Sequence, residues 1–231
     1  MKKTQVFVIL TLTVVLGFMT GCSNNTNGGE WVAEYAIGDQ GPAGGTIFYV
    51  ADGKDGRPLG FTVQGYTGTT GSFATYTAHY LEAAPANETD SIWGDYGIVN
   101  DVTTFDRTNY DYINYVSTDL KAKIMGNGRM DTQIIVAHME GKTITGTAAQ
   151  VCASKTVTVE TTVFTDWFLP SLGELNEMYK AKGKNNIPTT GYFWSSSQYN
   201  NNSAWGQGFV NGDQHEDGKN TGVNVRAVRA F

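Results

Sequence analysis

The sequence predicts an α+β domain of small antiparallel sheets, a few short helices and much irregular structure. Three observations carry this. The apolar stretches are short and are bounded by Gly, Asn, Asp or Pro, as strands are. Only the segments near 130–139, 147–154 and 171–183 suit short helices. Between them, residues 53–77 and 86–118 are rich in Gly, Thr, Asn, Asp and Tyr, which suits long ordered loops or short hairpins.

In chain order, Gly38-Asp39-Gln40-Gly41-Pro42-Ala43-Gly44-Gly45 scans as collagen-like triplets but is far too short for a triple helix, so it reads as turns. They lead into a strand, Thr46–Val50. A second strand runs from His79 and is stopped by Pro85. The first helix covers Met130–Met139, with Ile134, Ile135 and His138 inward and Gly141 as its stop. The second covers Thr147–Ser154. The third has the clearest start, because Ser171 and Glu174 form a capping box. Leu172, Leu175, Met178 and Tyr179 then share an apolar face, and Gly183 ends the helix. Strands follow at 192–195, 204–209 and 223–228. In 205–209, alternation puts Trp205, Gln207 and Phe209 on a buried face and Gly206 and Gly208 on the outward one.

The N-terminus reads as an address. Lys2 and Lys3 precede an apolar run from Val6 to Phe18, thirteen residues, too few to cross a ~30 Å hydrocarbon core. Met19-Thr20-Gly21-Cys22 resembles a bacterial lipobox, so 1–21 reads as a lipoprotein signal peptide and Cys22 as the lipidated residue. Residues 22–34 read as a flexible tether, polar up to Gly29, and 35–231 as one domain with its folded part starting near Trp31–Tyr35. Acylation of Cys22 leaves Cys152 as the one thiol of the mature chain, read as a small buried apolar side chain.

Charge and chemistry narrow the function. The 231 residues carry 16 Lys+Arg against 22 Asp+Glu, a net of −6; the two signal-peptide lysines removed, 14 basic residues remain and the net is −8. A nucleic-acid binder needs a basic face, so that class is excluded. Charged residues are 16%, below the usual ~25%. His79, His138 and His215 have no partner at metal-ligand spacing, and no nucleophile elbow or phosphate loop occurs. No cofactor, metal or catalytic residue is proposed by these patterns; an enzyme would require a polar pocket near His79 or His138. Asn211–Gly218 places oxygens at alternate positions, as calcium loops do, but His215 interrupts the ligand series and Asn224 stands where the closing glutamate belongs, so it reads as a solvated polar loop.

The unusual stretch is 198–224, which holds six of the 17 asparagines, set between the apolar anchors Trp194, Trp205, Phe209, Val225 and Val228. Turn chemistry alone accounts for such Asn and Gly. A resemblance adds more. Gly38-Asp39, Gly41-Pro42, Gly44-Gly45, Ile47-Phe48-Tyr49, Tyr80-Leu81-Glu82-Ala83-Ala84-Pro85, Trp93-Gly94, Asp166-Trp167-Phe168-Leu169-Pro170-Ser171, Glu174-Leu175, Tyr192-Phe193-Trp194-Ser195-Ser196-Ser197, Ala204-Trp205 and Val225-Arg226-Ala227-Val228-Arg229 occur in order. With these the chain resembles, over about 35–231, bacterial lipoprotein domains of the Legionella collagen-like C-terminal type. These are a branch of the C-type lectin fold close to the formylglycine-generating enzyme.

Within that group it is similar to the variable proteins, known from spirochaetes, that diversity-generating retroelements target. There a reverse transcriptase copies a template with errors at adenines, so Asn codons turn into Asp, Tyr, His, Ser or Gly. The resemblance implies a variable region at about 192–231 and a binding site made of Tyr199, Asn200, Asn201, Asn202, Ser203, Gly206, Gly208, Asn211, Asp213, His215, Asp217 and Asn224. Glu216 is not reachable from such a codon. The implied protein is no enzyme: it is displayed at the outer membrane or cell surface by its lipid, and it binds a variable ligand, a protein or other surface molecule. An invariant adhesin or structural lipoprotein of the same fold is the alternative. The calcium signature of sugar-binding lectins is absent, so the fold does not imply sugar binding. The paired cysteines of the formylglycine-generating enzyme are missing too.

Overall fold

A computed structural model describes residues 26–27, 30–96 and 124–231. The signal peptide, Cys22 and the 97–118 part of the polar loop lie outside the described residues.

The described chain is α+β, with small antiparallel sheets and few helices. Thr26–Asn27 (β1) pairs with Glu30–Trp31 (β2), inside the span expected to be tether. Trp31 then stacks on His79 at 4.3 Å, and the Glu34 amide donates to the Tyr80 hydroxyl (2.7 Å). Tyr35 and Tyr80 also meet the ring of Phe231, so both ends of the described chain sit in one aromatic cluster.

Thr46–Val50 (β3) follows the glycine turns as expected. The polar stretch 53–77 proves to be nested hairpins. Phe61–Val63 (β4) pairs with Tyr76–Ala78 (β7), and inside them Tyr66–Gly68 (β5) pairs with Gly71–Phe73 (β6). Tyr80–Ala83 (β8) is the centre of the first three-stranded sheet, flanked by β3 and by Val228–Ala230 (β14). The glycine motif is explained here. Its turn wraps the carboxylate of Glu82, which is fully buried and accepts from the amides of Ala43 (3.1 Å) and Gly45 (2.8 Å). A Cβ on Gly41 or Gly45 would collide with Glu82 or with the Ala83 carbonyl. Arg229 of β14 donates to Glu82 (3.2 Å) and, through two nitrogens, to Asp166 (2.9 and 3.1 Å).

Gly128–Gly141 (α1) starts two residues before the expected helix and includes Gly141, which therefore does not stop it. Ala148–Ala153 (α2) follows Thr147 in a capping box. Cys152 lies there fully buried, and burial pushes its thiol well above the ordinary range. Val157–Val159 (β9) and Thr162–Phe164 (β10) form a hairpin. Leu172–Lys180 (α3) has the predicted cap: the Glu174 amide donates to the Ser171 hydroxyl (3.2 Å) and the Ser171 amide to the Glu174 carboxylate (2.7 Å).

The second three-stranded sheet is Tyr192–Gln198 (β11), Ser203–Gly208 (β12) and Gln214–Gly218 (β13), in that order. α3 touches β3, β11 and β12, and so joins the two sheets. Strand β11 is buried on both faces. Phe193 belongs to a core with Phe48, Phe168, Leu175, Met178 and Phe209, whereas Trp194 belongs to one with Trp93, Trp167, Ile135 and Val225.

The strand expected at 223–228 is a correction. Regular pairing is confined to Val228–Ala230. Residues 223–227 cross from one sheet to the other and change partners on the way: Val223 bridges Ser91, Asn224 bridges Phe193, and the Ala84 amide donates to the Ala227 carbonyl.

Candidate functional site

The twelve candidate positions gather on and around the β11–β13 sheet. Register puts Tyr192 opposite Gly208, Trp194 opposite Gly206 and Gly206 opposite His215, so these residues share one side of the sheet. The other side carries Phe193 and Gln207. Gln207 is fully buried, and its Nε2 donates to Asn176 Oδ1 of α3 (3.0 Å) and to the Gly212 carbonyl (3.2 Å). That side is therefore fixed by α3, while the first is covered over Trp194, Ala204 and Gly206 and opens outward at Gly208 and along β13.

At one end of the sheet lies the β11–β12 loop. Asn200 Oδ1 accepts from the amides of Asn202 (2.8 Å) and Ser203 (2.9 Å), so Asn200 shapes the loop while Asn201 and Asn202 are exposed. Tyr199 meets Trp205 edge-on at 5.1 Å. Trp205, expected in the core, is only half-buried, because the sheet's α3 cover sits over Gln207 and Phe209 instead. Asp217 sits beside this end and accepts from the Gly218 amide (2.7 Å).

At the far end, the 209–213 turn carries Asn211, whose side-chain amide donates to the Asp213 carboxylate. Gly212 has φ +86°, the left-handed region glycine favours, and a Cβ there would press on the Tyr179 ring. Asn224 lies next to β11, its Nδ2 donating to the Tyr192 carbonyl (2.9 Å).

In the middle, Gly208 and His215 line the outward side. The expectation of an open Gly206 needs correction, since Gly206 is the buried one among the twelve. The ring of Tyr192 lies across it, and a Cβ would come within 2.6 Å of the Phe193 carbonyl oxygen. At Gly208 the nearest atom to a Cβ is Asn211 Oδ1 at 3.4 Å, an ordinary contact. Tyr192 is a site residue that sequence reasoning missed. It stacks on His215 at 4.4 Å and donates its hydroxyl to the His215 carbonyl (2.6 Å). The signal was its spacing of two from the buried Trp194, which puts it on the same side one pleat further out.

The surface is acidic. Asp213, Glu216 and Asp217 crowd β13, and no Lys or Arg occurs from Gln207 to Gly218. Burial raises the Tyr192 phenol, and the charges of Asp217 and Glu216 add to the rise. The segment read as a solvated loop, 211–218, is a turn followed by strand β13. Along a strand, residues two apart share a face but stand roughly 7 Å apart, so their oxygens do not converge on one ion.

Behind the loop end of the sheet lies a buried polar cluster. Lys219 is fully buried, donates to Gln198 Oε1 (2.6 Å) and sits 4.7 Å from the Trp93 ring; burial lowers its ammonium to about 7. His138 Nε2 is 3.7 Å from Asp95 Oδ2, and burial lowers the imidazole against the pull of that carboxylate. The Lys219 amide donates to the Asn202 carbonyl (2.8 Å), and the amides of Trp93 and Gly94 donate to the Lys219 carbonyl. These buried groups brace the loop end of the sheet. His79 is half-buried beneath Trp31.

No family model matches the chain, and no curated protein does. A similar solved structure is a fimbrial protein from Bacteroides ovatus ATCC 8483, 16% identical over 81% of this chain and 44% of that one, with a TM-score of 0.49. The chain thus spans less than half of that protein's length. Among the described residues no helix is long and apolar enough to cross a membrane.

Proposed function

We propose that this chain is a lipid-anchored binding protein with a C-type lectin fold, displayed at the outer membrane or cell surface, whose β11–β13 face is diversified by a retroelement. One observation carries the reading. Residue types that adenine mutagenesis produces collect on the outward side and ends of one sheet, while Phe193, Gln207 and Phe209 pin its other side to α3. Such a division lets the face change without disturbing the core. Tyr, Ser, Asn and Gly are also the types that antibody paratopes favour, for aromatic area and adaptable hydrogen bonds. The ligand is a protein or another surface molecule held without catalysis, and many copies anchored on one membrane add avidity. The invariant-adhesin reading draws on the Asn200 and Asn211 turns, which a fixed loop would use equally.

The test is to recode the face at once, replacing Asn201, Asn202, Gly208, Asp213, His215 and Asp217 with a different Ser, Tyr and Asp set. Surface changes cost roughly 0.5 kcal/mol or less each, so six together cost at most roughly 3 kcal/mol and the recoded chain keeps a cooperative transition within about 12 °C of the parent. Phe209→Ala, in contrast, loses roughly 3–5 kcal/mol. A recoded chain that does not fold sinks the reading.

A further inference from the structure

We infer that the outer edge of β13 is a docking rail for an extended, basic segment of a partner protein, which adds to the sheet as a fourth strand. The juxtaposition that carries this is an edge with no paired strand among the described residues, flanked by the face's own carboxylates. The order β11-β12-β13 leaves β13 at the edge. Its register fixes which main-chain groups face out. The Gly208 amide donates to the Asp213 carbonyl (2.9 Å), and the Lys219 amide to the Asn202 carbonyl (2.8 Å). Those are hydrogen-bonded pairs, and antiparallel pairs alternate. Hence His215 and Asp217 bond inward to β12, whereas Gln214 and Glu216 turn their N–H and C=O outward. The Gly218 amide also points out, but its neighbour's Asp217 carboxylate satisfies it (2.7 Å). The rail is therefore two residues, 214 and 216.

Charge chooses the occupant. Asp213, Glu216 and Asp217 line the rail with no Lys or Arg between Gln207 and Gly218. An acidic edge discourages pairing with a second copy of this net-negative chain. It suits lysines or arginines on an incoming strand, whose cross-strand opposite-charge pairs are favourable.

The alternation also divides labour. Gln214 and Glu216, which the retroelement reading leaves fixed, supply main-chain bonds that are blind to ligand sequence. Asp213, His215 and Asp217, which that reading makes variable, set the side chains that the added strand meets. Only this second half rests on the proposed function.

The probe is a capped hexapeptide alternating lysine and threonine, titrated into the full folded chain. Binding slows hydrogen exchange at the Gln214 and Glu216 amides by at least about tenfold, the effect of a hydrogen bond newly closed. N-methylating the peptide on its bonding edge, with the protein untouched, weakens binding about tenfold. Glu216→Pro, which removes an outward N–H that β12 does not use, does the same, while Glu216→Gln, which keeps that N–H, weakens it less. No binding at millimolar peptide, equal binding of the N-methylated peptide, or protection only at other amides each overturns strand addition. If protection appears at 214 and 216 while isolates share identical residues at 213, 215 and 217, the rail stands and diversification fails.

Discussion

Arg229→Ala is expected to destabilise the domain by roughly 3–5 kcal/mol, because removing one partner of a buried ion pair strands the other. Glu82 is fully buried, and Arg229 is its cationic partner there. Without the guanidinium, the carboxylate keeps only the Ala43 and Gly45 amides. Asp166 loses both of its Arg229 bonds, and the stack of Arg229 between Phe164 and Phe231 is lost as well. The consequence reaches beyond β14, since Asp166 leads into the 167–171 segment that ends at the cap of α3, and α3 backs the candidate face. The double change Glu82→Gln with Arg229→Met removes both charges and is expected to recover part of the loss. Urea unfolding of the three proteins measures this. A cost for Arg229→Ala below about 1 kcal/mol would show that the pair is not holding the sheet.

The second large effect is a loss of stability as pH rises toward neutrality. Burial raises the Glu174 carboxyl to about 7, against donation from the Ser171, Gly126 and Gly128 amides. Asp131 is pushed well above its usual range by burial first and by the charge of Glu174 second, with only the Ser196 hydroxyl opposing. In the unfolded chain both carboxyls titrate near ~4. Through these two carboxyls the native state holds more protons than the unfolded state above about pH 4.5, so they make stability fall with pH up to about 7, above which the lowered Lys219 ammonium acts in the opposite sense. The contribution of Glu174 is complete below about pH 4.5 and is lost as pH passes about 7, a change on the order of 3 kcal/mol. Asp131→Asn removes the like charge beside Glu174 and is expected to raise stability at pH 7 and flatten the pH profile. Denaturation midpoints of the parent and of Asp131→Asn between pH 4.5 and 7 report it. A parent midpoint that falls with pH no more than that of Asp131→Asn contradicts the buried-acid account.

Neither effect was visible in the sequence, and the reason is physical. Glu82, Asp131 and Glu174 look like ordinary carboxylates until folding places them among partners far along the chain. What was legible was local. The α3 cap needs only Ser171 and Glu174 three residues apart, and β3 is a compact apolar run after a glycine turn. The β9–β10 hairpin has a local signal as well, since Val157-Thr158-Val159 and Thr162-Val163-Phe164 are β-branched runs about a short turn. The nested hairpins of 61–78 have strands of three residues, too short for alternation to stand out from their Thr and Gly. At the candidate site, alternation correctly put Gly206 and Gly208 on one side. It could not tell that Tyr192, two strand positions before Trp194, closes over one glycine and leaves the other open. That distinction comes from cross-strand register, which no single strand encodes.

The central claim is that the outward side of β11–β13 varies while its backing is fixed. Sequencing codons 192–231 across isolates, together with the neighbouring DNA, tests it most directly. The account predicts substitutions confined to adenine positions of a near-copy beside a reverse-transcriptase gene. They should fall on Tyr199, Asn201, Asn202, Gly208, Asn211, Asp213, His215 and Asp217, and spare Phe193, Trp194, Gln207 and Phe209, with Gly206 staying glycine under Tyr192. A segment identical in every isolate, with no such copy nearby, would contradict it and leave a fixed lipoprotein whose asparagines are turn residues.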